Sequence, residues 1–297
     1  MKPALKPLHE QVMVITGASS GIGLCTALLA AEHGAKVALV ARSDDVLEMI
    51  AAEIREAGGD ALPLPADVAD REQLEAVAAD TVATFGRIDS WVNNAGVSVY
   101  GRLDQVSDAD HRRLFETNFW GVVYGSLVAL PYLRRQGGAL INMGSEASDA
   151  FVPLQGMYVA SKHAVKGFTD ALRTEVEQVD GAPVSITLIQ PTAVNTPYPQ
   201  HARNYLEHEP KLPGPQIDPH RVAQAILDAA TLGGRDVRVG AMAVMNTALS
   251  KLLPRVMDRI ARSYVRRQQS DLPPQNPEGS LHRPGRDAGR VYGHPPG

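Results

Sequence analysis

The chain has 297 residues, 44 % hydrophobic and 21 % charged, proportions of an ordinary globule with room for one large α/β domain or two small ones. A net charge of −4 spreads no general positive field, which argues against nucleic acid as a partner. The single cysteine, Cys25, excludes an internal disulfide framework and fits a reducing, cytoplasmic setting.

Residues 1–10 alternate Lys, Pro and polar groups without the apolar core of a secretory signal, and are expected to form a short N-terminal tail. Val12 to Ile15 is a short apolar run ending in Thr16-Gly17-Ala18-Ser19-Ser20-Gly21-Ile22-Gly23, and a helix rich in alanine and leucine continues to His33. This is strand, glycine turn, helix. Glycines allow backbone amides to approach a ligand, and the amino end of the helix favours negative charge, so the geometry suits a pyrophosphate. The alternative is a tight βα connection with no ligand.

Lys36 to Val40 forms a second strand, followed by Ala41 and Arg42. An acidic residue at this strand end would hold the ribose hydroxyls of NAD. Its absence, with an arginine in place, favours the 2′-phosphate of NADP(H) over NAD(H). A helix from Asp44 to Ala57 and a strand from Ala61 to Leu64 lead to Asp67-Val68, where Asp67 is placed to accept from an adenine amino group. After a helix from Arg71 to Phe85, the strand Ile88 to Val92 ends in Asn93-Asn94-Ala95-Gly96, a composition that suits a bend around a ligand or a tie to a neighbouring strand.

Ser107 to Arg135 is helical by pattern and contains Asn118, whose amide needs partners in so apolar a helix. The longest apolar run, Gly121 to Leu133, is too short to span a bilayer and is expected to be a buried helix. Ala139 to Met143 is the fifth strand, and Gly144-Ser145 lies at the end where open α/β sheets place ligands. In the helix that follows, Tyr158 and Lys162 stand four residues apart and share a face. An ammonium beside a phenol stabilises the phenolate and brings the group toward proton transfer, with Ser145 placed to hydrogen-bond the same substrate oxygen.

Pro183 to Ile189 is a sixth strand, followed by Gln190-Pro191-Thr192-Ala193-Val194-Asn195-Thr196 and a long connection from Pro197 to Pro219 that is expected to act as a lid or binding loop. Arg221 to Thr231 is a helix and Asp236 to Gly240 a last strand. Strands and helices alternate throughout, which predicts a single doubly wound parallel β-sheet with helices on both faces over residues 11–240. Residues 241–268 form a basic amphipathic helical segment, kinked at Pro254, that is expected to pack over the substrate pocket or another subunit rather than on a membrane surface. The Pro/Gly-rich stretch 269–297 is expected to be a disordered tail.

Together, Thr16 to Gly23, Asn93 to Gly96, Asn118, Ser145, Tyr158 and Lys162 resemble the short-chain dehydrogenase/reductase family, in the single-domain group with a TGxxxGxG turn and a YxxxK helix. The resemblance implies a Rossmann fold and an NADP-dependent oxidoreductase. Tyr158 would be the general acid/base, Lys162 would lower its pKa and hold the nicotinamide ribose, Ser145 would orient the carbonyl oxygen, and Asn118 would hold a relay water. Gly17, Ser19, Ser20, Gly21, Ile22, Gly23 and Arg42 would hold the adenosine and phosphates, and Asp67 and Val68 the adenine. Asn94, Ala95 and Gly96 would lie at the ribose, and Pro191, Val194 and Thr196 at the nicotinamide. Thr192 departs from the Pro-Gly usual in the family, so a side chain enters where backbone ordinarily passes the ring.

Substrate contacts are expected from Ser145, Phe151, Val152, Met157 and Tyr158, with Val97, Tyr100 and Leu154 nearby, a lining that suits a hydrophobic ketone, aldehyde or secondary alcohol. No metal is expected. A homodimer or homotetramer follows from the resemblance, with the helices bearing Asn118 and Tyr158 at the contact. A non-catalytic NADP-binding sensor on the same fold is the alternative function.

Overall fold

Short apolar runs become strands here because the sheet they join is covered on both faces. In chain order the strands are β1 (Val12–Thr16), β2 (Lys36–Ala41), β3 (Ala61–Pro65), β4 (Ser90–Asn93), β5 (Val99–Tyr100), β6 (Gly138–Met143), β7 (Val184–Pro191), β8 (Arg203–Asn204) and β9 (Asp236–Val239). The α-helices are α1 (Gly21–Glu32), α2 (Asp44–Glu56), α3 (Arg71–Phe85), α4 (Asp108–Phe115), α5 (Gly121–Gln136), α6 (Gly156–Arg173), α7 (Tyr198–His201), α8 (Pro219–Leu232), α9 (Ala241–Leu252) and α10 (Pro254–Arg267). The structure, a computed structural model, describes residues 3–285 and 288–293.

Seven strands form one parallel sheet in the order β3-β2-β1-β4-β6-β7-β9, the doubly wound Rossmann arrangement predicted from the alternation, while β5 and β8 pair separately. Every residue of β1, β4, β6 and β7 is buried, so continuous apolar runs, rather than alternating ones, mark these strands. On one face α1, α2 and α8 supply Leu24, Leu29, Leu47, Ile50, Val222 and Ile226 to the core. On the other, α3, α5 and α6 supply Leu74, Val77, Val128, Leu133 and Leu172. The chain leaves β1 to build β2 and β3 on one side and returns to build β4 on the other, which opens a crevice at the carboxyl ends of β1 and β4.

Two buried asparagines tie the middle of the sheet to its helices. Asn93 Nδ2 donates to Asn142 Oδ1 at 2.8 Å and to Ser126 Oγ at 3.1 Å, and Asn142 Nδ2 donates to Thr169 Oγ1 at 3.0 Å. Of the two uses the composition at Asn93 allows, a strand-to-strand tie is the one observed.

The helical stretch through Asn118 is interrupted by a π-helical turn, Glu116–Trp120, and α6 passes into a second one, Thr174–Val179. The expected kinked C-terminal helix is two helices. Leu253 (φ −134°, ψ 54°) breaks the path and Pro254 opens α10, where a missing N–H costs nothing.

The Pro/Gly-rich stretch also departs from expectation. It lacks a core of its own but borrows that of the domain: Leu281 is fully buried against the cluster of Val97, Val99, Val106 and Leu114, and Val291 packs on the α1–α8 side of the sheet. Residues 286–287 and 294–297 of that stretch, with residues 1–2 of the N-terminal tail, lie outside the described residues. Among the described residues no helix is long and apolar enough to cross a membrane.

Candidate active site

The crevice holds a cavity of about 280 Å³ whose wall gathers residues from along nearly the whole chain. Its floor at the sheet edge is the turn after β1. Gly17 (φ 69°) and Gly21 (φ 54°) adopt left-handed backbone there, and a Cβ on Gly17 would meet Ala95 Cα at 2.8 Å. Thr16 Oγ1 accepts from the amides of Asn94 and Ala95 at 2.9 and 3.0 Å, which fastens the β1 turn to the β4 turn. Ser20 caps α1 by position, yet its side chain bonds no helix amide, so the anion-favouring end of this helix carries no built-in carboxylate or hydroxyl cap.

Gly17, Ser19, Ser20, Gly21, Ile22, Arg42, Asp67, Val68, Asn94, Ala95, Gly96, Tyr158, Lys162, Pro191, Val194 and Thr196 all line this cavity. Gly23 does not; it is buried, and a Cβ there would stand 2.2 Å from the Gly17 carbonyl oxygen, so it serves the packing of α1 on the turn. Asp67 is already engaged: its Oδ2 pairs with the Arg113 guanidinium and its Oδ1 accepts from Ala69 N at 3.0 Å. Burial lowers the Arg42 guanidinium from its usual value, with Asp67 opposing that shift and Arg113 adding to it.

Ser145, Tyr158 and Lys162 face the same cavity, brought together by the end of β6 and the first turns of α6. Lys162 is 5 % exposed and its Nζ donates to the Met143 carbonyl at 2.8 Å, 5.8 Å from the centre of the Tyr158 ring. Burial brings its ammonium down to about 8, still protonated at neutral pH. The expectation that this lysine makes the phenol unusually acidic is not met. Burial pushes Tyr158 up and the Glu146 carboxylate adds to that, while the Ser145 and Tyr198 hydroxyls pull it partly back. The ammonium is held on a backbone carbonyl, and the phenol ring packs against the Tyr198 ring, whose centre lies 5.7 Å away.

Asn118 sits in the π-turn with both amide groups partnered. Its Oδ1 accepts from Val97 N at 2.8 Å, and its Nδ2 donates to Val97 O at 3.0 Å and to Ser161 Oγ at 3.2 Å. The side chain therefore pins the 94–97 strand end to α6, and it is not on the cavity wall.

Of the expected substrate contacts, Ser145, Tyr158, Val152 and Val97 line the cavity. Phe151 is 37 % exposed, Met157 and Tyr100 pack into or beside the small cluster under β5, and none of the three, nor Leu154, reaches the wall. Their places are taken by Tyr198, Leu212 and Pro213 from the long connection and by Tyr264 from α10. The long connection thus forms part of the cavity wall, and α10 reaches it through Tyr264.

Thr192, the departure from the family pattern, has a defined partner. Its Oγ1 donates to Glu146 Oε2 at 3.0 Å, and Asn246 Nδ2 from α9 donates to the same oxygen at 3.0 Å. The side chain turns toward α9, and neither Glu146 nor Asn246 carried a sequence signal beyond adjacency to Ser145.

A glycine turn at a helix amino end, the asparagine–glycine bend beside it and a Ser–Tyr–Lys group on a doubly wound sheet mark a family, and a family model confirms it: the chain belongs to the short chain dehydrogenases, matched over residues 11–206. It is similar to the uncharacterized oxidoreductase YxnA of Bacillus subtilis (strain 168), 43 % identical over 289 residues that cover 96 % of this chain and 81 % of the relative. The 11-beta-hydroxysteroid dehydrogenase 1A of Arabidopsis thaliana is 38 % identical over 186 residues, 62 % of this chain and 52 % of that protein, so the chain spans about half its length. Among solved structures, an alcohol dehydrogenase from the archaeon Thermococcus sibiricus, complexed with 5-hydroxy-NADP, superposes with a TM-score of 0.65 at 29 % identity, covering 77 % of this chain and 94 % of that one.

Proposed function

We propose that the protein is an NADP(H)-dependent oxidoreductase that moves a hydride between the nicotinamide and a hydrophobic ketone, aldehyde or secondary alcohol, with Tyr158 as general acid/base. The observation that carries this reading is the convergence of Ser145, Tyr158 and buried Lys162 on one cavity whose other end is the glycine turn. The residues present fit a dinucleotide: the amino end of α1, which has no side-chain cap, and the hydroxyls of Ser19 and Ser20 suit a pyrophosphate, and Arg42 suits a 2′-phosphate. Asp67 and Val68 would flank the adenine, Asn94 to Gly96 and Lys162 the ribose beside the ring, and Pro191, Val194 and Thr196 the nicotinamide.

The nicotinamide, when bound, supplies or accepts the hydride. Ser145 holds the substrate oxygen. In reduction Tyr158 gives its phenolic proton to that oxygen, and in oxidation the tyrosinate takes the proton of the alcohol. Because burial raises the Tyr158 phenol, it is a proton donor near neutral pH, and oxidation gains as the pH rises through the tyrosine pKa. Asn118 acts by fixing the backbone around Gly96. Val97, Val152, Tyr198, Leu212 and Tyr264 give the substrate end an apolar wall, and the similarity to plant hydroxysteroid dehydrogenases supports a bulky apolar alcohol or ketone.

NADPH oxidation against a panel of apolar carbonyl compounds tests the reading. Tyr158→Phe is expected to lower turnover by about a hundredfold or more while NADPH binding, read by its fluorescence, stays within about twofold. NADPH is expected to bind more tightly than NADH. Tight NADPH binding with no turnover of any carbonyl would leave a cofactor-binding sensor instead of an enzyme.

A further inference from the structure

The groups proposed to hold the phosphates are bridged by the chain's own C-terminal stretch. Arg42 donates from Nη1 to the Leu281 carbonyl at 3.2 Å, and from Nη2 to the carbonyls of Ser280 and, at 3.2 Å, Arg283. At the glycine turn, Gly289 N donates to Ser19 O at 2.7 Å and Gly21 N donates to Arg290 O at 2.8 Å. Between these two contacts Ser280, Pro284, Gly285 and Ala288 face the cavity itself.

Each end is anchored outside the cleft. At the adenosine lip Leu281 is fully buried in the cluster under β5, and His282 Nε2 lies 2.7 Å from Asp110 Oδ1. At the other lip Val291 packs against the core on the α1–α8 face. A segment fixed on both banks of a cleft, with its carbonyls on the arginine meant for a phosphate, stands in the path of any long anionic ligand.

We propose that residues 280–285 and 288–291 act as a strap forming the outer wall of the cofactor site, and that NADP(H) enters and leaves only when these contacts lift from Arg42 and the glycine turn. This rests on the cofactor reading given above. Strap carbonyls and a 2′-phosphate draw on the same guanidinium, so release of one accompanies binding of the other, and the cleft then closes over the bound dinucleotide.

The test uses the full chain carrying Leu281→Ala with His282→Ala, which loosens the adenosine-lip anchor. Trypsin cleavage after Arg286 and Arg290, the Arg283 bond being blocked by Pro284, reports whether the strap has been released, and stopped-flow NADPH fluorescence gives the association and dissociation rates. The variant is expected to be cleaved faster and to show both rates raised about tenfold or more. Gly289→Pro is the second variant: it removes the N–H that bonds Ser19 and forbids the φ of 87° there while leaving the Leu281 anchor intact, so poor folding of the first does not end the test.

Unchanged NADPH rates in a variant whose strap is cleaved faster overturn the strap and leave the cofactor reading standing. A rise in dissociation alone also overturns it, since the segment would then hold the cofactor without gating its entry. Failure of wild type and variants alike to bind either NADPH or NADH brings down the cofactor reading and the strap together.

Discussion

Glu146 shows how one charge beside the reacting group sets the pH at which it works. Its carboxylate is held by Thr192 and Asn246, burial raises its own pKa, and its charge in turn raises Tyr158. The other groups facing the phenol are Ser145 and Tyr198, which pull it down, and Lys162 on the same helix, bonded to Met143. Oxidation needs the tyrosinate, so its rate climbs with pH through the Tyr158 pKa. Glu146→Gln keeps an acceptor for Thr192 and removes the charge. The alkaline rise of kcat/KM for alcohol oxidation is therefore expected to move to lower pH; a profile that stays in place or moves up would refute the coupling. At this scale the shared face of Tyr158 and Lys162 was legible from spacing, because four residues along a helix fix it, while their grouping with Ser145 came from the resemblance to the family. The direction of the Tyr158 shift was not legible, since burial of the phenol depends on how distant parts of the chain pack around it.

Elements owe their positions to buried polar ties as much as to apolar burial. The Asn93–Asn142 pair joins β4 to β6 and reaches Ser126 on α5 and Thr169 on α6. Asn142→Ala strips partners from Asn93 and Thr169 in a dry interior. It is expected to cost about 2–3 kcal/mol, a fall in Tm of about 3–5 °C by scanning fluorimetry, with NADPH affinity little changed. A Tm within about 1 °C of wild type would show that the pair is not a structural tie. The seven strands of the main sheet were readable from their apolar runs to within a residue or two, whereas the two-residue strands β5 and β8 were not. The π-turns at Glu116–Trp120 and Thr174–Val179 were not, because a helix with one extra residue in its turn keeps nearly the same hydrophobic pattern.

For the whole molecule, the outer face of α5 with the π-turn before it is one exposed apolar surface that suits a partner. Trp120 (44 % exposed) and Leu127 (40 % exposed) lie on it with Tyr124 between them, and α6 beside it exposes the small residues Ala160, Gly167 and Ala171. Small residues let helices approach closely and the apolar ones reward it. The protein is expected to run as a dimer or tetramer by light scattering. Trp120→Glu with Leu127→Glu is expected to reduce the mass to that of one chain without unfolding it. A wild type that is already monomeric would remove this face from consideration.

What the linear order of residues determined is whatever closes within a turn or one βαβ unit: the glycine turn, the strand–helix alternation, the Tyr158–Lys162 pair and hence the family. Such features depend on φ/ψ preference and on side chains a few positions apart, both readable locally. Tertiary structure alone decided the rest. It turned Thr192 to Glu146 and Asn118 to Val97, replaced Phe151 and Met157 with Tyr198 and Tyr264 at the pocket wall, and laid residues near 281 across Arg42. A contact between groups some 240 residues apart is set by the path of the folded chain, and a Pro/Gly-rich stretch with no core of its own takes its order from the surface it meets.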